Sequence, residues 1–266
     1  MRQITLALHN YESAYKRLPS GWTDHGAFWT AAILPQIEQN NIYQTLIFAE
    51  SGLGNWDNPL SPNYKACQTT VSSFRCPSLP FSEPSDYNGI QRRVPVSYRA
   101  NGGSKVTSDD ASTRTVVNTQ SFEDTNLDGV MHGCSKTKLK DIVDGLSRTI
   151  MVGESRTDPD FSKDGQGMDF WAMGGPQVDP CNCKGGTGGT EFSEAAGSLY
   201  PQVNLAVTKP ASNGYLIEVA FGSWHVGGVM FGKADGSVTF ISNNTDVAVT
   251  RAVGSRDGGE IVDFED

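Results

Sequence analysis

The stretch Ser223-Trp224-His225-Val226-Gly227-Gly228-Val229-Met230-Phe231-Gly232-Lys233-Ala234-Asp235-Gly236-Ser237-Val238-Thr239-Phe240-Ile241 decides how this chain is read. Two apolar runs flank Asp235-Gly236. That residue pair tolerates positive φ and matches the twist of paired strands. The segment is expected to fold as one β-hairpin about a two-residue turn. Such a turn predicts Phe231 opposite Phe240 and Met230 opposite Ile241, apolar pairs that would pin the register.

Outward from the hairpin, the N-terminal end carries a different period. Ile4, Leu8, Tyr11, Tyr15 and Leu18 recur every three to four residues, which predicts an amphipathic helix over residues 2–17. It would be about 24 Å long, with Pro19 and Gly21 as its stop signals. Its apolar stripe needs a sheet or a helix to cover it. Residues 28–48 repeat the helical pattern with a break at Pro35, which predicts two short helices and a kink. Residues 51–64 (SGLGNWDNPLSPNY) read as a surface loop. Short strands are expected at 71–74, 94–98, 115–117, 149–153 and 215–221. Residues 179–190, with Cys-Asn-Cys and a glycine run, read as a loop. The pattern is that of an α+β fold. An N-terminal helix packs on an antiparallel sheet, elaborated with long loops and extra strands, and no linker divides residues 1–266.

Several of these stretches share an order with a known family. Residues 2–19 (RQITLALHNYESAYKRLP), 33–39 (ILPQIEQ), 74–78 (FRCPS) and 141–154 (DIVDGLSRTIMVGE) come first. His225, nine residues and then Asp235-Gly236 follow, and 251–252 and 258–262 close the series. Together they resemble a large bacterial family of prepilin-like proteins of unknown function. The regions around 100–130 and 175–215 depart from its pattern. The resemblance implies a pilin-like fold, with residues 1–18 as the residual part of a spine helix and 19–266 as a globular head. It implies a non-enzymatic structural subunit of the cell envelope, on the periplasmic or extracellular side. Its partners would be other pilin-like subunits and the membrane, both met through an apolar N-terminal helix missing from this chain. The expected head is soluble by itself. Of the family motif, Asp235 and Gly236 are expected to make the turn and His225 to hydrogen-bond a loop. A catalytic His225–Asp235 pair is not expected. A strand advances about 3.3 Å per residue, which puts the two roughly 20 Å apart, and catalytic partners need hydrogen-bond reach.

Composition narrows the function classes. The chain has 266 residues, enough for a sizeable core. Its 29 glycines and 13 prolines suit a loop-rich, β-containing protein. A net charge of −9 opposes binding to nucleic acid or to an anionic lipid surface. No apolar run approaches the roughly 20 residues that span a bilayer. Enzyme signatures are missing too. The glycine run at 185–189 lacks a following Gly-Lys-Ser/Thr, and neither Ser155 nor Ser223 sits in a nucleophile elbow.

Three residue sets point to ligands. Asp124, Asn126 and Asp128, followed by Gly129, place oxygen donors at alternate positions as calcium loops do. The twelfth position is Ser135 rather than glutamate, so an acidic turn is the competing reading. His132, Cys134, Cys181 and Cys183 offer a tetrahedral zinc set, with spacers shorter than usual. Against zinc stand disulfides or free thiols. An envelope location permits a Cys67–Cys76 bridge or a link from Cys134 to the 181/183 pair. With five cysteines, at least one is unpaired or bridges between chains. Finally, Trp22, Trp29, Trp56, Trp171 and Trp224 can stack on sugars or fill a core. If they stack, the alternative function is a secreted or surface module binding a glycan or small solute. No cofactor is certain; Ca²⁺ is the candidate.

Overall fold

The N-terminal apolar stripe forms helix α1 (Arg2–Tyr15), as its spacing predicts. It ends short of Pro19. Lys16 takes a left-handed φ of 59° and donates its N–H to Glu12 O at 2.6 Å. Ile4, Ala7 and Leu8 are buried, while Leu6 and Tyr15 face outward. The architecture is that of a computed structural model. It describes all residues except 50–51, 57, 82, 88–89, 157, 159–168, 173–193, 206–213, 261 and 263–266.

Short helices follow: α2 (Trp29–Ala32), a 3-10 turn at Leu34–Ile37 with Pro35 in its first turn, and α3 (Asn40–Tyr43). The kink expected at Pro35 is thus spread over three pieces. Residues 51–64 differ from the expected surface loop. Trp56, Ser61 and Asn63 are fully buried. Ser61 caps α4 (Pro62–Cys67) by accepting from Asn63 N at 3.0 Å. The polar composition is internal hydrogen bonding: Asn63 Nδ2 donates to Ile47 O and Gly54 O, both at 2.8 Å.

The strands are β1 (Ser85–Tyr87), β2 (Ile90–Arg93), β3 (Tyr98–Gly103), β4 (Val106–Ser108), β5 (Gln120–Ser121), β6 (Ile150–Glu154), β7 (Ala196–Ser198), β8 (Gly228–Lys233) and β9 (Val238–Ser242). The main sheet has the order β7-β3-β6-β8-β9. It is mixed rather than wholly antiparallel, because β7 runs parallel to β3. Strand β6 lies centrally and is buried along its length, which suits its apolar run Ile150-Met151-Val152. Residues 71–74 are a 3-10 turn, and 115–117 lie outside any strand. Residues 214–219 form helix α5 (Gly214–Val219) instead of the expected strand. Its end is held by a side chain from the sheet. Arg99 donates to the carbonyls of Glu218 and Ala220, so a buried cation satisfies acceptors that a helix end leaves orphaned. Helix α6 (Val247–Gly254) follows, capped by Asp246. Among the described residues, no helix is long and apolar enough to cross a membrane.

The hairpin forms, with its register one residue away from expectation. Phe231 pairs with Thr239, Met230 with Phe240 and Val229 with Ile241. The loop has three residues, Ala234-Asp235-Gly236. Gly236 N–H donates to Lys233 O at 3.0 Å, and Lys233 N–H to Ser237 O at 2.9 Å. Gly236 carries φ +87°, as a type I turn closed by a left-handed residue requires. A one-residue slip changes the face of every side chain. Val229, Phe231 and Ile241 therefore join one cluster with Phe221, Leu199 and Val253. Phe240 remains exposed on the other face. That other face receives α1. A Cβ on Gly232 would lie 2.1 Å from Thr5 Cγ2, and one on Gly236 would lie 3.2 Å from His9 Nε2. Helix α1 thus runs along β8 toward the turn, and a bare backbone at Gly232 lets it approach.

Buried ion pairs lock the far side. Arg93 makes a bidentate pair with Glu194 at 2.9 and 2.5 Å. Its guanidinium sits 3.9 Å from the Phe170 ring centroid and 5.0 Å from that of Trp56. Arg99 pairs with Asp169, which also accepts from Ser155 Oγ. Burial raises the Glu194 carboxyl pKa, and the Arg93 charge works against that rise.

Two outcomes follow from this packing. A Met230→Cys/Phe240→Cys pair, directly opposed on the outer face, should form a disulfide under mild oxidation, read by peptide mapping. The Met230→Cys/Ile241→Cys pair should not, since those side chains leave opposite faces. Arg93→Met should cost about 3–5 kcal/mol in urea unfolding, because Glu194 would keep its burial without its charge partner; a loss under about 1 kcal/mol would contradict that role.

Candidate functional site

Strand β8 begins where three distant segments meet. His225 lies in the bend before it, on the sequence Ser223-Trp224-His225, and its N–H donates to Ser223 Oγ at 3.1 Å. The segment after the 3-10 turn at Ser72–Phe74 brings Cys76, whose N–H donates to Ser97 Oγ at 3.1 Å. The last residue of β6 brings Glu154. Its Oε2 accepts from Met230 N at 3.0 Å, which leaves Oε1 free to turn toward His225.

The three side chains converge. His225 Nε2 lies 3.2 Å from Cys76 Sγ and 3.7 Å from Glu154 Oε1. One donor atom from each falls within 4.8 Å of the others. Glu154 is buried, Cys76 half-buried and His225 exposed, so the cluster opens to solvent on one side. Around it, Tyr98 pairs with Glu154 across β3 and β6. Burial raises the Tyr98 pKa, and Cys76 and Glu154 add to the rise. The start of α1 is also near. Trp224 stacks under Arg156, 4.2 Å from ring centroid to guanidinium, and meets Phe81 edge-on at 5.5 Å.

The arrangement separates two chemistries. In a nucleophile–base–acid relay, the acid holds the imidazole nitrogen that the nucleophile does not use. Here Cys76 and Glu154 both address Nε2. Thiol, imidazole and carboxylate aimed at one point make a metal-ligand set. The Glu154 carboxylate is oriented by the Met230 N–H, and the backbones of Cys76 and His225 are held by the Ser97 and Ser223 hydroxyls.

A family model described as "Protein of unknown function (DUF1559)" matches residues 1–248. The chain belongs to that family. No curated protein and no solved structure gives a significant match. In this DUF1559 chain, Cys76, Glu154 and His225 come from the separate stretches 74–78, 141–154 and 223–241 singled out in the sequence, and the fold joins them.

Asp235 and Gly236 stand at the opposite end of β8 and make the turn. Burial works to raise the Asp235 carboxyl pKa. Hydrogen bonds from Ser237 Oγ at 2.6 Å and Ser237 N at 2.9 Å, with the Lys233 charge, overrule it and hold the carboxyl below its ordinary range. The proposed calcium residues have protein partners. Asp128 accepts from Ser104 N at 2.8 Å and Ser104 Oγ at 2.7 Å. Asp124 accepts from Ser121 N at 2.9 Å and faces Arg114 at 3.5 Å. Asn126 meets Gln120 through its backbone carbonyl. Of the zinc set at 132–134 and 181–183, Cys181 and Cys183 fall outside the described residues. Burial, then the Arg256 charge, lowers the His132 pKa to about 4. The Cys67–Cys76 bridge does not form: Cys67 is buried in the core and Cys76 is turned to His225. The tryptophans are mostly core. Trp22, Trp29, Trp56 and Trp171 are buried, and Trp224 is half-buried.

Cys76 and Glu154 are the partners that sequence reading missed. Each is the one thiol or the terminal carboxylate of its stretch, 149 residues separating Cys76 from His225. The turn gives a direct check. Asp235→Ala should lower stability by about 1 kcal/mol, a charged hydrogen bond discounted for solvent exposure. The folded carboxyl pKa is depressed, so in the wild type this contribution is present above the unfolded carboxylate pKa. It is lost as pH falls through the folded value. The gap between wild type and variant should therefore close in acid, measured by thermal melts across pH.

Proposed function

We propose that this DUF1559 chain is the globular head of a pilin-like subunit of the cell envelope, structural rather than enzymatic. One observation carries the reading: α1 lies along β8, with Ile4, Ala7 and Leu8 buried and Leu6 and Tyr15 outward. A helix mounted lengthwise on a sheet is the arrangement a spine needs to carry a head. In this reading α1 is the head-proximal part of a longer spine. Assembly with like subunits and contact with the membrane run through that spine, and the head faces the periplasm or the exterior. The order of the motifs from 2–19 to 258–262 supports it. A glycan-stacking role gains little from the tryptophans, since four of the five sit in the core.

Expressed from its native gene in its native cell, the protein should sediment with envelope membranes. It should also be cleaved by protease added to spheroplasts with an intact inner membrane. Recovery in the cytoplasmic fraction, protected from protease, would overturn the proposal.

A further inference from the structure

We propose that Cys76, Glu154 and His225 form a binding site for one Zn²⁺ ion. The inference stands apart from the envelope reading and rests on four features of the cluster.

The first is distance. Tetrahedral zinc with bonds of about 2.3 Å to sulfur and about 2.0–2.2 Å to nitrogen or oxygen places its ligand atoms roughly 3.3–3.6 Å apart. The two contacts of His225 Nε2, 3.2 Å to sulfur and 3.7 Å to oxygen, bracket that edge. The second is ligand type. One thiolate, one imidazole and one carboxylate favour a borderline-soft divalent ion over calcium or magnesium, which prefer all-oxygen shells.

The third is preorganisation. Glu154 is aimed by Met230 N–H, and the Cys76 and His225 backbones are pinned by Ser97 and Ser223. Metal binding then needs little rearrangement beyond expulsion of the Cys76 proton to solvent. The fourth is openness. His225 is exposed, so three protein ligands leave a fourth position for water or for a donor from an approaching molecule. Bound zinc would clamp the Cys76 segment, β6 and the entry to β8 into one unit.

The full chain, stripped with a chelator, is titrated with Zn²⁺ alone. Zinc retained per chain and the alkylation rate of each cysteine, read by peptide mapping, are the readouts. Binding at this site predicts one equivalent of zinc and at least tenfold slower alkylation of Cys76, with buried Cys67 unchanged. His225→Ala, at an exposed position, should weaken zinc at least tenfold and remove the protection of Cys76, while the metal-free melting temperature stays near that of wild type. Glu154→Gln should weaken binding less. The proposal is overturned if Cys76 reacts equally fast with and without zinc in the wild-type chain. It is equally overturned if zinc is retained undiminished by both His225→Ala and Cys76→Ser.

Discussion

The three-residue turn at Ala234-Asp235-Gly236 fixes the rest of the sheet. Its register sends Val229, Phe231 and Ile241 to one face and leaves the other for α1. With β8 held against β6, a two-residue turn at the same Asp-Gly would turn the side chains of β9 to the opposite face. Ile241 would then leave the cluster in which Phe231 meets Phe221 edge-on, their centroids 5.2 Å apart. Two contacts from outside the hairpin hold the choice: Ala234 N–H to Thr149 O at 2.8 Å and Asp235 N–H to Leu146 O at 3.0 Å. The turn is thus docked on the segment leading into β6, and the hairpin and β6 are set as one piece.

The same alignment builds the site. Met230 N–H reaches Glu154 only because β8 lies beside β6 in this register. His225, just upstream of β8, is carried to the open end of the sheet, where Cys76 arrives from the N-terminal half. On the other side, Arg99 is tolerated in the sheet's interior because it finds a carboxylate and two carbonyl partners. On β3, Arg99 meets Asp169 and the carbonyls of Glu218 and Ala220, and Asn101 donates to Ile150 O at 2.9 Å and Gly254 O at 2.8 Å. Polar side chains here tie helices α5 and α6 to the sheet, a role that apolar packing alone does not specify.

What the sequence disclosed follows from range. Helix α1 and the existence of the hairpin were legible, since period and turn chemistry are local. The register was not, because Asp-Gly serves two- and three-residue loops alike and the docking contacts come from 146–149. Residues 215–221 read as a strand by composition, whereas 214–219 are a helix whose end meets Arg99, a contact from distant β3. Residues 51–64 read as a loop because they are rich in turn residues; Asn63 is instead buried by its bonds to Ile47 and Gly54, and Trp56 beneath Arg93. At the site, His225 was legible through its motif. Cys76 and Glu154 were not, since no local pattern connects residues joined only by the fold.

The central claim is that this register gathers three distant stretches at the entry to β8. Nuclear Overhauser contacts from the His225 ring test it most directly. The account predicts strong contacts from the imidazole protons to the Cys76 Hβ pair and weaker ones to Glu154 Hγ. An imidazole that reports only its chain neighbours and solvent, in a folded protein, would contradict it.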